Sequence, residues 1–261
     1  MIDKPACLQC RVQVSLCFRL RKMSVRIDFC CDVRIHKGIA EIPRNAVDEE
    51  SIPSLDELAI KYGTDKSSLG HGYTETYEKI FSQFRNDRFS MLEIGVDKGC
   101  SMRMWREYFP DASIYGIDQV LTPEAEDCCD RIFIGDQLDR AFLQSVIAEI
   151  GQPHLIIDDG GHKAAQQITS FQVLFPQMQS GGIYVVEDTH TWYKRAYFSG
   201  GQDGESYFKQ LIRDVNVAGR GLTGSYEKAI NWNKPDPPVP ALSHCLKSML
   251  FVQSLLICVR R

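Results

Sequence analysis

Apolar and polar positions fall into two regimes along the chain. From Phe89 onward, short apolar runs alternate with stretches of helical period. The runs predict strands over 89–94, 113–118, 131–135, 154–158 and 182–187. The stretches between them predict helices over 101–108, 123–129, 139–149 and 162–175. Strand and helix alternating at this spacing imply a parallel, doubly wound α/β sheet with right-handed crossovers. Runs such as Leu155-Ile156-Ile157 and Ile183-Tyr184-Val185-Val186 are continuously apolar, as strands covered on both faces are.

Two helices are predicted ahead of this unit. Residues 54–61 open with Ser54 as N-cap and Glu57 three positions on, a capping-box pattern. Residues 75–84 place Tyr77, Ile80, Phe81 and Phe84 on one face. Lying before the first strand, these helices are expected to form a lid over its carboxyl end. Beyond Asp188, residues 189–205 read as a long loop over the site and 207–217 as a helix. The four prolines of 232–240 require irregular chain, and 247–259 reads as a strand closing the sheet. The expected organisation is an extension over 1–50, a helical lid over 51–88 and an α/β domain over 89–261.

Composition changes this picture little. The 261 residues carry a formal charge of -4, so bulk charge makes no case for nucleic acid. No apolar run approaches the roughly 18 residues that span a bilayer, so no membrane partner is expected. Ten cysteines are many, and five lie in the first 31 residues. Cys7 and Cys10 have the spacing of half a zinc site, but no second pair follows. Reduced thiols of a cytoplasmic protein are the simpler reading. A basic, apolar stretch over 1–22 is conceivable as a transit peptide, and Met23 as an alternative start.

Candidate chemistry gathers at the predicted strand ends. The first strand runs through Glu93 into Gly95-Val96-Asp97-Lys98-Gly99, then Ser101 at the start of a helix; the second ends in Asp118. Glycines let the backbone approach a ligand, and an acid at the second strand end can accept from ribose hydroxyls. The turn lacks the full G-x-G-x-x-G that seats a pyrophosphate, which favours S-adenosylmethionine over a nicotinamide cofactor. Asp136 and Gln137 follow the third strand, where an acid and an amide can meet an adenine edge. Capping of strand ends explains Glu93 and Asp136 equally well.

The fourth strand ends Asp158-Asp159-Gly160-Gly161-His162 and the fifth Glu187-Asp188-Thr189-His190. Adjacent parallel strands converge there, and four carboxylates in a small volume call for a cation. All-oxygen donors suit Mg²⁺. Asp159, Glu187 and Asp188 are the candidate ligands, with Asp158 facing the cofactor side or capping the next helix. His162 could take a proton from a substrate hydroxyl, with His190 as competitor. Thr191, Trp192 and Tyr193 could stack on a sugar or simply pack the loop.

Several of these segments resemble the metal-dependent macrolide sugar O-methyltransferases of the mycinamicin and tylosin type. The resemblance lies in Leu58-Ala59-Ile60-Lys61-Tyr62-Gly63-Thr64-Asp65-Lys66, His71-Gly72-Tyr73-Thr74, Leu92-Glu93-Ile94-Gly95-Val96, Ile157-Asp158-Asp159-Gly160-Gly161-His162 and Val186-Glu187-Asp188-Thr189-His190. Met104-Trp105, Tyr108-Phe109-Pro110 and Ile134-Gly135-Asp136-Gln137 add to it, and 243–252 adds a weaker match. The resemblance implies a seven-stranded, Rossmann-like class I methyltransferase fold. It implies methyl transfer from S-adenosylmethionine to a sugar hydroxyl of a small-molecule glycoside, with Mg²⁺. It places the metal on Asp159, Glu187 and Asp188, the base on His162, and Thr64 and His71 on the cofactor side. The lid surface leaves room for homo-oligomer contacts. The alternatives are a catechol-type O-methyltransferase, a non-catalytic protein that binds the cofactor, and a nicotinamide reductase.

Overall fold

A computed structural model describes residues 52–198, 200–215, 242 and 245–261, with a short antiparallel pairing of Ile35–His36 and Ile39–Ala40. The Cys7/Cys10 pair, the stretch 1–22 and the proline-rich 232–240 lie outside the described residues. The chain divides into Met1–Ile52 and Pro53–Arg261, and the latter holds the sheet.

That sheet has seven strands: β1 (Ser90–Ile94), β2 (Ser113–Asp118), β3 (Arg131–Ile134), β4 (Leu155–Asp158), β5 (Ile183–Val186), β6 (Leu246–Val252) and β7 (Leu255–Arg260). Their spatial order is β3-β2-β1-β4-β5-β7-β6. The first five are parallel, and β7 runs antiparallel to both β5 and β6. The doubly wound, mostly parallel sheet expected from the apolar runs is therefore present. The order reverses beside β1, so a crevice opens beyond the carboxyl ends of β1 and β4, where such sheets take ligands.

The helices are α1 (Leu55–Tyr62), α2 (Tyr73–Phe81), α3 (Cys100–Tyr108), α4 (Arg140–Ile150), α5 (Ala164–Leu174), α6 (Gly204–Gln210) and α7 (Ile212–Val215). Successive strand residues supply opposite faces. Met91, Ile114, Leu155 and Ile157 pack with α1, α2 and α3. Leu92, Ile117, Ile156 and Tyr184 pack with α4, α5 and α6. Helices α1 and α2 are thus built into one core layer: Leu55, Tyr77 and Phe81 are fully buried, in an aromatic cluster with Trp105 and Phe109. Only the loop that joins them faces the crevice. The capping box at Ser54 is formed, and Gly63 closes α1 in the left-handed conformation.

Three local expectations are corrected. Residues 123–129 hold only a 3₁₀ turn, Pro123–Ala125, because Glu126 is extended and Asp127 has φ 61°. The single closing strand is a hairpin, turning at Ser254 with φ 60°. The stretch 189–205 is not open loop, since 3₁₀ turns occupy Thr189–Tyr193 and Arg195–Tyr197 and α6 begins at Gly204. Of the helix expected over 207–217, the last two positions lie outside the described residues.

Candidate active site

A cavity of about 740 Å³ opens at the carboxyl ends of β1, β2 and β4, a size that suits a small-molecule cofactor. Its walls include Thr64, Gly95, Ser101, Asp118, Gln137, Asp159, His162 and Asp188. His71, Glu93, Gly99, Asp136, Asp158 and Glu187 do not line it.

Gly95 is required by close approach. Its φ is 92°, and a Cβ there would sit 2.2 Å from the Asp159 carbonyl oxygen. The turn after β1 thereby lies against the end of β4. Gly99 starts α3 at φ 74°, and a Cβ would strike Cys128 at 2.8 Å. Asp118 locks the same turn. One carboxylate oxygen accepts from the Val96 and Asp97 N–H groups at 2.8 and 2.9 Å, the other from Gln119 and Val120 at 2.6 and 3.2 Å. Partial burial works to raise its pKa, but these four donors outweigh it and hold the carboxyl below its usual range.

Gln137 bridges the crevice floor. Its amide donates to Asp158 at 3.1 Å and to Ser170 at 3.0 Å, and its carbonyl accepts from Gly161 N–H at 2.8 Å. Asp158 is wholly buried beneath it and also accepts from Tyr184 at 3.1 Å. Burial raises its pKa, against these hydrogen bonds. Asp136 is exposed and accepts from Leu138 N–H at 2.9 Å, so it shapes the turn after β3. His71 is exposed and stacks on Tyr73 with centroids 5.2 Å apart.

The acids of β1, β4 and β5 do converge, and a lysine absent from the sequence-based set of site residues stands among them. Lys66, 1% exposed, reaches Asp159 at 2.5 Å, Glu187 at 2.8 Å and Glu93 at 3.4 Å. Burial disfavours its charged form, yet Asp159, Glu187 and Glu93 outweigh that and raise its pKa well above the usual lysine value. Glu187 is buried and turned from the cavity: one oxygen accepts from Lys66, the other from Tyr77 at 2.6 Å. Burial, then the Asp159 charge, drive its pKa up. Glu93 accepts from the Trp105 indole at 2.8 Å, and burial lifts its pKa to about 7.

Asp159, Asp188 and His162 lie on the cavity side. They can each offer one donor atom with all three within 4.8 Å of one another. Asp188 accepts from Tyr73 at 2.6 Å, while His162 Nε2 lies 3.6 Å and His190 Nδ1 3.8 Å from its carboxylate. Both Asp188 and His162 have positive φ, 55° and 57°. Such strain in non-glycine residues concentrates at functional sites. The donor chemistry fits a hard divalent ion, because the carboxylates of Asp159 and Asp188 both front the cavity within reach of one another. Trp192 packs the segment instead of facing the site, stacked on Phe208 at 5.4 Å and donating to Gln167 at 2.6 Å. Tyr193 is exposed, and Tyr197 stands edge-on to His162 with centroids 6.2 Å apart.

The strand order, the reversed β7 and a cavity over the β1 turn define the class I methyltransferase fold. Comparison with known proteins narrows the class. The chain is 37% identical over 185 residues to the 8-demethyl-8-alpha-L-rhamnosyl tetracenomycin-C 2'-O-methyltransferase of Streptomyces olivaceus, covering 66% of this chain and 48% of that protein. It is 38% identical over 148 residues to the mycinamicin VI 2''-O-methyltransferase of Micromonospora griseorubida, covering 54% and 37%. Among solved structures, it matches the MycE methyltransferase of the mycinamycin pathway, in complex with Mg, SAH and mycinamycin VI. That match has a TM-score of 0.67 and 28% identity, over 80% of this chain and 54% of that one. No protein-family model matches. The chain is thus a relative, in sequence and fold, of the sugar O-methyltransferases of antibiotic biosynthesis, and it spans about half the length of tetracenomycin-type relatives or less of the others. Among the described residues no helix is long and apolar enough to cross a membrane.

Proposed function

We propose that this chain transfers a methyl group from S-adenosylmethionine to a hydroxyl of a sugar on a glycosylated natural product, assisted by Mg²⁺. The observation that carries the reading is the meeting of Asp159, Asp188 and His162 at the edge of the cavity walled by Gly95 and Asp118. The relatives are named for acting on a rhamnosyl tetracenomycin and on mycinamicin VI, which supports a sugar over an aromatic diol.

In this reading Gly95, Ser101, Asp118 and Gln137 hold the cofactor, with Thr64 closing it from the α1–α2 loop. Asp159 and Asp188 would hold the ion; Glu187 could join them only by giving up contacts with Lys66 or Tyr77. The bound ion would act as a Lewis acid that makes the acceptor hydroxyl more acidic. His162 removes its proton, and the adjacent Asp188 carboxylate stabilises the imidazolium that results. The freed oxygen lone pair forms the C–O bond as the methyl–sulfur bond breaks, and S-adenosylhomocysteine leaves.

The test is product mass spectrometry with labelled S-adenosylmethionine and matched panels of deoxysugar glycosides and catechols, with Mg²⁺ or EDTA. Labelled methyl ethers on the sugar, lost in EDTA, are expected. Methylated catechols with untouched glycosides would overturn the sugar assignment, and full turnover in EDTA would overturn the metal.

A further inference from the structure

Carboxylates that converge at the ends of β1, β4 and β5 need a cation, and the fold supplies one from its own chain. Lys66 comes from the loop between α1 and α2, far in sequence from β4 and β5, and its ammonium touches three acids of three different strands or strand ends. We propose that Lys66 is the positioning residue of the acid cluster. Its ammonium is the counter-ion that ties Glu93, Glu187 and Asp159 together when no divalent ion is bound. The proposal deepens the metal-assisted reading above and, in its second part only, rests on it.

Geometry separates the carboxylates into two sets. Glu93 and Glu187 are 0% and 1% exposed, and neither lines the cavity. Each has a second, neutral donor, Trp105 for Glu93 and Tyr77 for Glu187. Trp105 and Tyr77 are themselves packed against each other in the core, 5.8 Å between centroids. Asp159 is the shared member, held by Lys66 on one side and within donor distance of Asp188 and His162 on the other. Lys66 therefore sits between a buried anionic set and the candidate ion position. An ion entering there meets the fronting pair Asp159 and Asp188, with the charge behind them already partly neutralised.

Two consequences follow with opposite signs. Lys66→Met leaves two buried carboxylates, Glu93 and Glu187, and the half-buried Asp159 without their cation, which is strongly destabilising when one partner of a buried pair is removed. In EDTA its Tm should fall by roughly 6–20 °C for a domain of this size. The same change adds one net negative charge beside the ion position, so the stabilisation by Mg²⁺ should grow. A residue that merely packs the core would lower both the EDTA Tm and the response to the ion.

The experiment is differential scanning calorimetry of the full chain, for wild type, Lys66→Met, Lys66→Arg, Glu187→Gln and the double variant K66M/E187Q, each in EDTA and in a Mg²⁺ series. The double variant removes one charge of each sign and should regain much of the Tm that Lys66→Met loses. Lys66→Arg should retain more stability than Lys66→Met. An unchanged EDTA Tm in Lys66→Met, a double variant no more stable than Lys66→Met, or a Mg²⁺ shift smaller than wild type would each overturn the proposal. Should Lys66→Met not fold, Glu187→Gln carries the test: removing one of the acids that share the Lys66 ammonium should lower its Mg²⁺ shift, and a shift equal to or larger than wild type overturns the assignment. Absence of any Mg²⁺ shift in wild type, with the double variant still rescuing in EDTA, would refute the metal reading and leave Lys66 in its role.

Discussion

Gly95→Ala is the sharpest probe of the contact between the β1 turn and the end of β4. At φ 92° an alanine is in a region L-residues avoid, costing about 1–2 kcal/mol. Its Cβ would then lie 2.2 Å from the Asp159 carbonyl oxygen, about 1 Å short of an ordinary contact. Both clashing atoms belong to backbone or its first carbon, so no rotamer relieves the overlap. The strands must part, which strains the Asp159 N–H to Ile94 carbonyl bond of 2.9 Å and costs about another 1 kcal/mol. The sum is roughly 2–3 kcal/mol, or a Tm lowered by roughly 4–12 °C. The displaced carbonyl belongs to Asp159, so the candidate ion position moves with it. The matched control is Gly72→Ala, at φ 70° with nothing within 4 Å of its Cβ. It carries only the backbone term and should lose about 1–2 kcal/mol, or roughly 2–8 °C, less than Gly95→Ala by the cost of the clash. Scanning calorimetry and titration calorimetry with S-adenosylhomocysteine measure both effects. Equal Tm losses in the two variants, or wild-type affinity in Gly95→Ala, would show that the close approach is not what fixes the turn.

Two further variants separate the remaining roles. His162→Asn keeps a side chain that tolerates positive φ and should lower kcat by roughly 10²–10⁴-fold with S-adenosylhomocysteine affinity near wild type; a few-fold loss would transfer proton removal to His190. For Asp118 the folded pKa lies below the ordinary 3.8, so its stabilisation is present above that value and is lost as pH falls through the folded pKa. The Tm of Asp118→Asn should therefore decline less steeply than wild type between pH 4.5 and 2.5, roughly the window that surrounds an unperturbed aspartate, and parallel curves would remove Asp118 as the anchor of the turn.

Local patterns sufficed for what depends on neighbours in sequence. Continuous apolar runs marked β4 and β5, because a strand buried on both faces has no polar face to show. Ser54 and Glu57 marked a helix start, because a capping box closes within four residues. The strand-end positions of Gly95, Asp118, Asp159 and Asp188 followed from the run lengths, and all four wall the cavity. Where local cues compete, the reading slipped. Residues 123–129 carry helix-compatible acids, yet the left-handed Asp127 breaks the turn, and the closing strand hides a hairpin because Gln253 and Ser254 are unremarkable turn residues.

What only tertiary structure decided is which charges meet. Sequence shows that acids accumulate at two strand ends and that a cation must answer them, but it does not say whose. Lys66 lies 93 residues from Asp159 and 121 from Glu187, in a loop that reads as polar and exposed. Its burial exists because α1 and α2 pack beside α3 and carry that loop over the ends of β1, β4 and β5. Likewise Glu187 and Asp188, adjacent in sequence, face opposite ways: one toward Tyr77 and Lys66, the other toward Tyr73 and His162. The left-handed turn at Asp188, just past β5, separates the neighbours, and long-range packing chooses their partners.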